Sequence, residues 1–312
     1  MKNLIYSFIA LLFFTQCNNQ HLTDKTTEKT PVVTATTDSL TVVEIVEVKS
    51  EKDIIGMWSG AFDSTKILKK IGDTIFNIED FQTDYWEESA VKKLPKQYQK
   101  FFYKDPLYGY ISLQTPNKIS IKIEKLEDGI FFGKSICSGF ERTLKGTFTR
   151  NKNTILITCK EPGDEKYDGE FNLVIDMDSS TLIGSWKPFN DSVTEPKTLT
   201  MSRKDFKYMP NAEEFNIDKE LLDKNVSTEI LKTKDIENES KQRLRMLRNL
   251  IYARHGYTFK NKDVRNIFEG YEWYLPVSAD VRDLLTPIEK QNEALMKRYE
   301  DYAKSYYDDF GR

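Results

Sequence analysis

Cysteine and histidine are scarce in these 312 residues, with three of one and two of the other. The cysteines are Cys17, Cys137 and Cys159, and the histidines are His21 and His255. Neither an HExxH nor a CxxC run occurs, and a Gly-x-Ser-x-Gly elbow is also missing. The familiar spacings for a zinc site or an activated serine are therefore absent. A dominant charge is lacking too: the net charge of −3 gives no general attraction to nucleic acid. The one strongly apolar run lies at the start of the chain and is shorter than the roughly 20 residues a membrane-crossing helix needs.

That run, Leu4 to Phe14, follows the basic start Met1-Lys2-Asn3 and gives way at once to polar sequence. Its length suits the core of a signal peptide. It ends in Phe14-Thr15-Gln16-Cys17, which resembles the lipobox of bacterial lipoproteins, with Gln16 where that family usually has a small residue. The resemblance implies export, cleavage before Cys17, and acylation of Cys17, palmitate among the acyl chains. The membrane is then a partner through the lipid. Residues 18–52 are polar and rich in threonine, and read as a disordered tether. Within them Val42 to Val48 is apolar enough for an edge strand. Asp38-Ser39-Leu40, Asp73-Thr74-Ile75 and Asp191-Ser192-Val193 resemble the Asp-Ser/Thr-aliphatic acceptors of some bacterial O-glycosylation systems.

From 53 to 206 the hydrophobic period is two. Ile119, Ile121 and Ile123 alternate with Ser120, Lys122 and Glu124, and Phe171, Leu173, Ile175 and Met177 alternate with polar or smaller neighbours. Such alternation marks strands with one buried face. Turn signals at Glu127-Asp128-Gly129, Asn151-Lys152-Asn153 and Asp178-Ser179-Ser180 keep the connections short and the neighbours antiparallel. Roughly eight to ten strands in a meander predict an all-β domain, a barrel or a sandwich. Gly56-Met57-Trp58 resembles the Gly-x-Trp of the opening lipocalin strand, while Gly184-Ser185-Trp186 lies near the end. Both tryptophans are expected in the core. Cys137 and Cys159 fall at the same end of two strands separated by a third, about 10 Å apart. A disulfide between them requires those ends to curl together. An aromatic insertion, Asn77 to Tyr110, breaks the rhythm with Phe81, Tyr85, Trp86, Tyr98, Phe101, Phe102, Tyr103, Tyr108 and Tyr110. It is expected to anchor to the core, the alternative being a cover over a barrel mouth.

Residues 207–233 read as a linker, and 234–312 as a small all-α domain. Leu244, Leu247 and Ile251 share a face of a helix predicted over Lys241 to Arg254, closed by Gly256. A short helix follows over Asp263 to Glu269, ended by Gly270. Thr286-Pro287-Ile288-Glu289 joins an N-cap, a first-turn proline and a capping-box glutamate at the head of a third helix running towards Tyr306.

Tyr252-Ala253-Arg254-His255-Gly256 spells the motif of the YARHG domain, and Tyr257-Thr258-Phe259, Phe268, Trp273-Tyr274, Pro276, Leu285-Thr286, Glu289 and Asn292 resemble that family in order and spacing. The resemblance implies a small extracytoplasmic domain associated with the cell wall, without enzymatic activity. Within this sequence His255 has no visible partner for triad or metal chemistry. Structural roles fit the motif: Tyr252 and Tyr257 pack, Gly256 turns, Trp273 fills the core, Arg254 meets a carboxylate, and His255 serves the helix end. A weaker reading makes Arg243, Arg245, Arg248, Arg254 and Arg265 a basic rim beside Tyr252 and Trp273.

The expected whole is a lipid-anchored envelope protein, periplasmic or surface facing, with a non-catalytic binding or assembly role. Cell-wall glycan or another envelope protein is the expected partner, through Tyr252, Arg254, His255, Trp273 and Tyr274. No cofactor or metal is expected. The alternatives are a lipocalin-like carrier of an apolar small ligand, and a hydrolase using dispersed carboxylates such as Glu87, Glu88, Asp164 and Glu165.

Overall fold

The computed structural model describes residues 43–45, 51–63, 88–105, 109, 111–114, 116–208, 210–211 and 221–306. Cys17, the signal segment, His21, Glu87, the first two glycosylation-like triplets and several insertion aromatics lie outside the described residues.

Alternating apolar residues build a closed antiparallel barrel. Its strands are β2 (Gly56–Phe62), β5 (Lys118–Glu127), β6 (Ile130–Cys137), β7 (Phe140–Asn151), β8 (Thr154–Lys160), β9 (Gly169–Asp176), β10 (Thr181–Pro188) and β11 (Lys197–Phe206). Each pairs with the next in sequence, and β11 returns to pair with β2, Arg203 opposite Trp58. That closing pair decides for a barrel over a sandwich. The expected turns form: Asp128 and Gly129 both take positive φ, 50° and 76°, as a tight hairpin requires.

The inward positions behave as the alternation predicts. Ile119, Ile121, Ile123, Phe131, Leu144, Ile157, Phe171, Leu173 and Ile175 join both tryptophans in one buried cluster. Trp58 is 0 % exposed and donates from Nε1 to the carbonyl of Ile54, 2.9 Å away, on the short helix α1 (Glu51–Ile54). Trp186 donates to Glu161 at 3.2 Å. Glu161 also accepts from Ser135 Oγ and Gly169 N, and beside it Arg142 pairs with buried Asp168 at 2.6 Å. These buried polar groups thus satisfy one another.

Several sequence expectations need correction. The two cysteines do not share an end: Cys137 stands opposite Phe140 and Cys159 opposite Gly146, and both are free. The stretch read as a tether includes structure: the expected edge strand forms as β1 (Val43–Ile45), paired with β11, and α1 begins before residue 52. The described part of the insertion has its own small core. Helices α2 (Glu88–Lys93) and α3 (Lys96–Gln99) and the hairpin β3 (Phe102–Lys104) with β4 (Ile111–Leu113) bury Val91, Leu94, Phe102 and Ile111 together. The linker also shortens. Leu221, Val226 and Leu231 are core residues of the helical unit, which also holds α4 (Thr233–Ile236), α5 (Lys241–Arg254), α6 (Lys262–Glu269) and α7 (Pro287–Tyr306). They have no helical period, which is why the segment read as a connection.

Barrel and helical unit belong to one compact body. The outward-facing Ser59, Ser120 and Ile136 are buried on neighbouring strands, and contacts to the helical unit flank them. Lys118 Nζ donates to the carbonyls of Tyr271 and Tyr274, at 2.5 and 3.0 Å. Gly139 N donates to Thr258 Oγ1 at 3.0 Å, and Glu141 accepts from Ser278 Oγ and Ala279 N. None of the described helices is long and apolar enough to cross a membrane.

Candidate functional site

The YARHG-like residues stand at the end of α5. Ser240 caps its start, accepting from Arg243 N at 3.3 Å, and Leu244, Leu247, Leu250 and Ile251 bury its inner face. At its far end Gly256 takes φ +72°, the left-handed turn that a helix stop favours. The Gly256 carbonyl then accepts from Val277 N at 2.7 Å, and Tyr257 folds back on Tyr252 with ring centroids 5.9 Å apart.

His255 points inward and is 4 % exposed. Its Nε2 lies 2.8 Å from Glu289 Oε2, while its ring stacks on Tyr208 at 4.2 Å and 10°. Glu289 is 0 % exposed. It closes the expected capping box of α7: its carboxylate accepts from Thr286 N, and its own N–H donates to Thr286 Oγ1. Tyr208 Oη donates to its other oxygen at 2.9 Å. Burial alone would raise the Glu289 pKa, but the bonds from His255, the Thr286 amide and Ser227 outweigh it and hold the carboxyl below its ordinary range. Burial, with the Glu289 charge and hydrogen bond, pushes the Tyr208 phenol upwards.

Each remaining candidate has a packing role. Arg254 is 2 % exposed and donates to Asn225 Oδ1 and Ser227 Oγ, both at 3.1 Å, which ties α5 to the segment first read as a linker. Asn292 serves the same segment, accepting from Leu231 N and donating to the carbonyls of Val226 and Glu229. Trp273 is buried and stacks on Tyr271, while buried Tyr274 donates to the Tyr257 carbonyl at 2.7 Å. Tyr252 alone of the five keeps a partly open ring.

Of the expected basic rim, Arg254 is bonded as above and three more arginines are taken up internally. Arg248 pairs with Glu300 and Glu293, Arg243 with Glu239 and the Leu221 carbonyl, and Arg265 donates to the carbonyls of Phe259 and Lys260. Of the dispersed carboxylates named above, the described ones lie apart: Glu88 pairs with Lys92 on α2, and Asp164 and Glu165 are exposed in the β8–β9 loop. Among the described residues no group of three His, Cys, Asp or Glu is placed to hold a metal ion. The triplet Asp191-Ser192-Val193 is in the β10–β11 loop, where Ser192 Oγ donates to Asn190.

Sequence reasoning missed two members of the central cluster. Glu289 was visible only as a cap, and nothing near Tyr208 in sequence announces a stacking partner 47 positions away (255 less 208). What the cluster does is clamp three strands of chain: the exit from the barrel, the end of α5 and the start of α7. Four donors converge on the Glu289 carboxylate, and a stacked phenol covers the imidazole.

The family model of the YARHG domain matches residues 219–301, so the match takes in the segment carrying Asn225, Ser227 and Leu231. Among solved structures, fatty-acid-binding protein 1 of Echinococcus granulosus aligns with 49 % of this chain and 98 % of its own. The identity is 9 % and the TM-score 0.22. No curated protein matches the chain.

Proposed function

We propose that this is a lipid-anchored envelope protein with a non-catalytic binding or assembly role, held to the membrane through Cys17 and facing the periplasm or the medium. One observation carries the non-catalytic part: the motif histidine and its glutamate are spent on each other and on Tyr208. A general base needs reach to a substrate proton, and this imidazole is enclosed. The anchor rests on the lipobox-like Phe14-Thr15-Gln16-Cys17. Its partner is a cell-wall glycan or another envelope protein.

The test uses His255→Gln and Cys17→Ala in the native host. His255→Gln weakens the fold and leaves crosslinked envelope partners bound to the folded fraction. A fully stable variant that lost its partner would make the motif the functional site. Cys17→Ala releases the protein from membranes, since each buried CH₂ of an acyl chain contributes about 0.8 kcal/mol. Retention of an acylated mass in that variant sinks the anchor.

A second reading, a carrier of an apolar small ligand, draws on the barrel itself. Its closure by β11 and β2 around an apolar interior is an architecture able to enclose one. Trp58, Phe131 and Phe171 occupy that interior, so a ligand has to displace them. Extraction of the protein from native membranes and mass analysis of bound lipid separates the two readings. Stoichiometric lipid lost in Phe131→Trp supports the carrier.

A further inference from the structure

Where the helical unit meets the barrel, one carboxyl is set apart. Glu269, the last residue of α6, is 4 % exposed. Among the described residues its Oε2 has no hydrogen-bond partner, and Arg265 Nε stands 3.8 Å away, beyond hydrogen-bond reach. One turn earlier Asn266 is buried with its Nδ2 likewise unpartnered among them. From the barrel, the backbone N–H of Lys118 donates to the Glu269 carboxyl. The Lys118 ammonium is directed elsewhere, to the carbonyls of Tyr271 and Tyr274. The other titratable groups around this seam are Cys137 on β6, Glu141 on β7, Lys197 and Lys204 on β11, and Glu272 and Tyr274 after α6.

We propose that this seam is a proton-sensitive latch: Glu269 keeps its proton while the helical unit is seated on the barrel, and ionisation loosens the seat. An ionised carboxylate with one oxygen unbonded, held by a single backbone N–H and a long ion pair to Arg265, is costly in such a place. Release to water, or displacement of Lys118 from its carbonyls, relieves that cost, and either disturbs the contacts that join the two units. Burial, opposed by Arg265 and Lys118, raises Glu269 to about 8. Burial, assisted by Lys204, lowers Lys118 to about 8.

The two groups act in opposite directions. Between its ordinary value of 4.5 and about 8, Glu269 holds a proton in the folded state that the unfolded chain has released, so stability falls as pH rises. Between about 8 and the ordinary lysine value of 10.5, Lys118 has lost a proton that the unfolded chain retains, so stability rises again. The seam is therefore weakest near the pH where both titrate.

Melting curves of the full chain across this range test the latch, with Glu269→Gln and Lys118→Met measured beside the native protein. Glu269→Gln should gain on the native protein by roughly 5 °C between the acid and the slightly alkaline ends of the carboxyl's window. Lys118→Met should flatten only the alkaline limb. Parallel curves for Glu269→Gln and native protein over the first window overturn the proposal. Hydrogen exchange in the native protein gives an independent reading if a variant fails to fold. The Gly139 amide, bonded across the seam to Thr258, should lose protection roughly tenfold relative to β8 amides as the carboxyl ionises. An unchanged ratio overturns the latch as well.

Discussion

In the barrel a residue's neighbours follow from its place in the ladder: Ile121 faces Trp58 on one side and Ser135 on the other because β5 lies between β2 and β6. In the helical unit the decisive neighbours are single side chains far apart in sequence. His255 meets Glu289 and Tyr208, Arg254 meets Asn225 and Ser227, and Asn292 meets Val226, Leu231 and Glu229. One half repeats a pairing rule around an apolar interior, and the other depends on single buried polar contacts between distant segments. Loss of a large apolar residue should therefore be the costliest change in the barrel, and loss of one polar residue the costliest in the helical unit.

Trp58→Ala makes the largest test. It removes a fully buried indole and its bond to Ile54, and should cost about 3–5 kcal/mol in denaturant unfolding. A cost near zero would mean that the opening strand is held by its ladder alone. Glu289→Ala should approach that figure, at about 3–5 kcal/mol, because it leaves buried His255 and half-buried Tyr208 without their acceptor. It should also change the acid response. The Glu289 carboxyl is held low in the folded protein, so its contribution is present above the unfolded value of about 4.5 and is lost as pH falls through the lower folded value. The acid limb of the native stability curve should shrink in Glu289→Ala.

The difference between the halves also explains what was legible beforehand. Period-two alternation exposed the barrel strands, the inward isoleucines and both tryptophans, because a ladder makes position in sequence equal to position in space. The α5 and α7 spans were legible from their apolar face, Gly256 and the Thr286–Glu289 box. The clamp was not. Its contacts join residues separated by a whole domain boundary, and local pattern carries no record of which distant carboxylate a histidine will meet. Leu221, Val226 and Leu231 escaped for the same reason: each is buried by tertiary contact in a stretch without period.

Helix-ending glycines allow a finer test. Sequence places Gly256 and Gly270 in equivalent roles, yet Gly256 has φ +72° and Gly270 has φ −70°. A Cβ at Gly256 would also overlap the Val277 side chain and lie 2.8 Å from the Leu275 carbonyl. Gly256→Ala should cost about 2 kcal/mol. Exposed Gly270 sits in ordinary helical conformation, so Gly270→Ala should be nearly neutral. Equal costs for the two would remove backbone strain as the explanation.

Ser240→Ala has the smallest expected effect and asks whether the two halves unfold together. The Ser240 hydroxyl accepts one bond, from Arg243 N, at the first turn of α5, and such a cap contributes about 1 kcal/mol. Nothing in the barrel touches that bond among the contacts described above, so the variant perturbs the helical unit alone. If the seam at Lys118, Gly139 and Glu141 couples the halves strongly, barrel amides that open only by global unfolding should lose the same free energy as α5 amides. If the barrel stands by itself once the helical unit has melted, exchange should quicken in α5 and leave β8 and β9 unchanged. Measured near neutral pH, equal losses identify one cooperative unit. A loss confined to α5 shows that the ladder, with its own apolar interior, outlasts the polar clamp built against its wall.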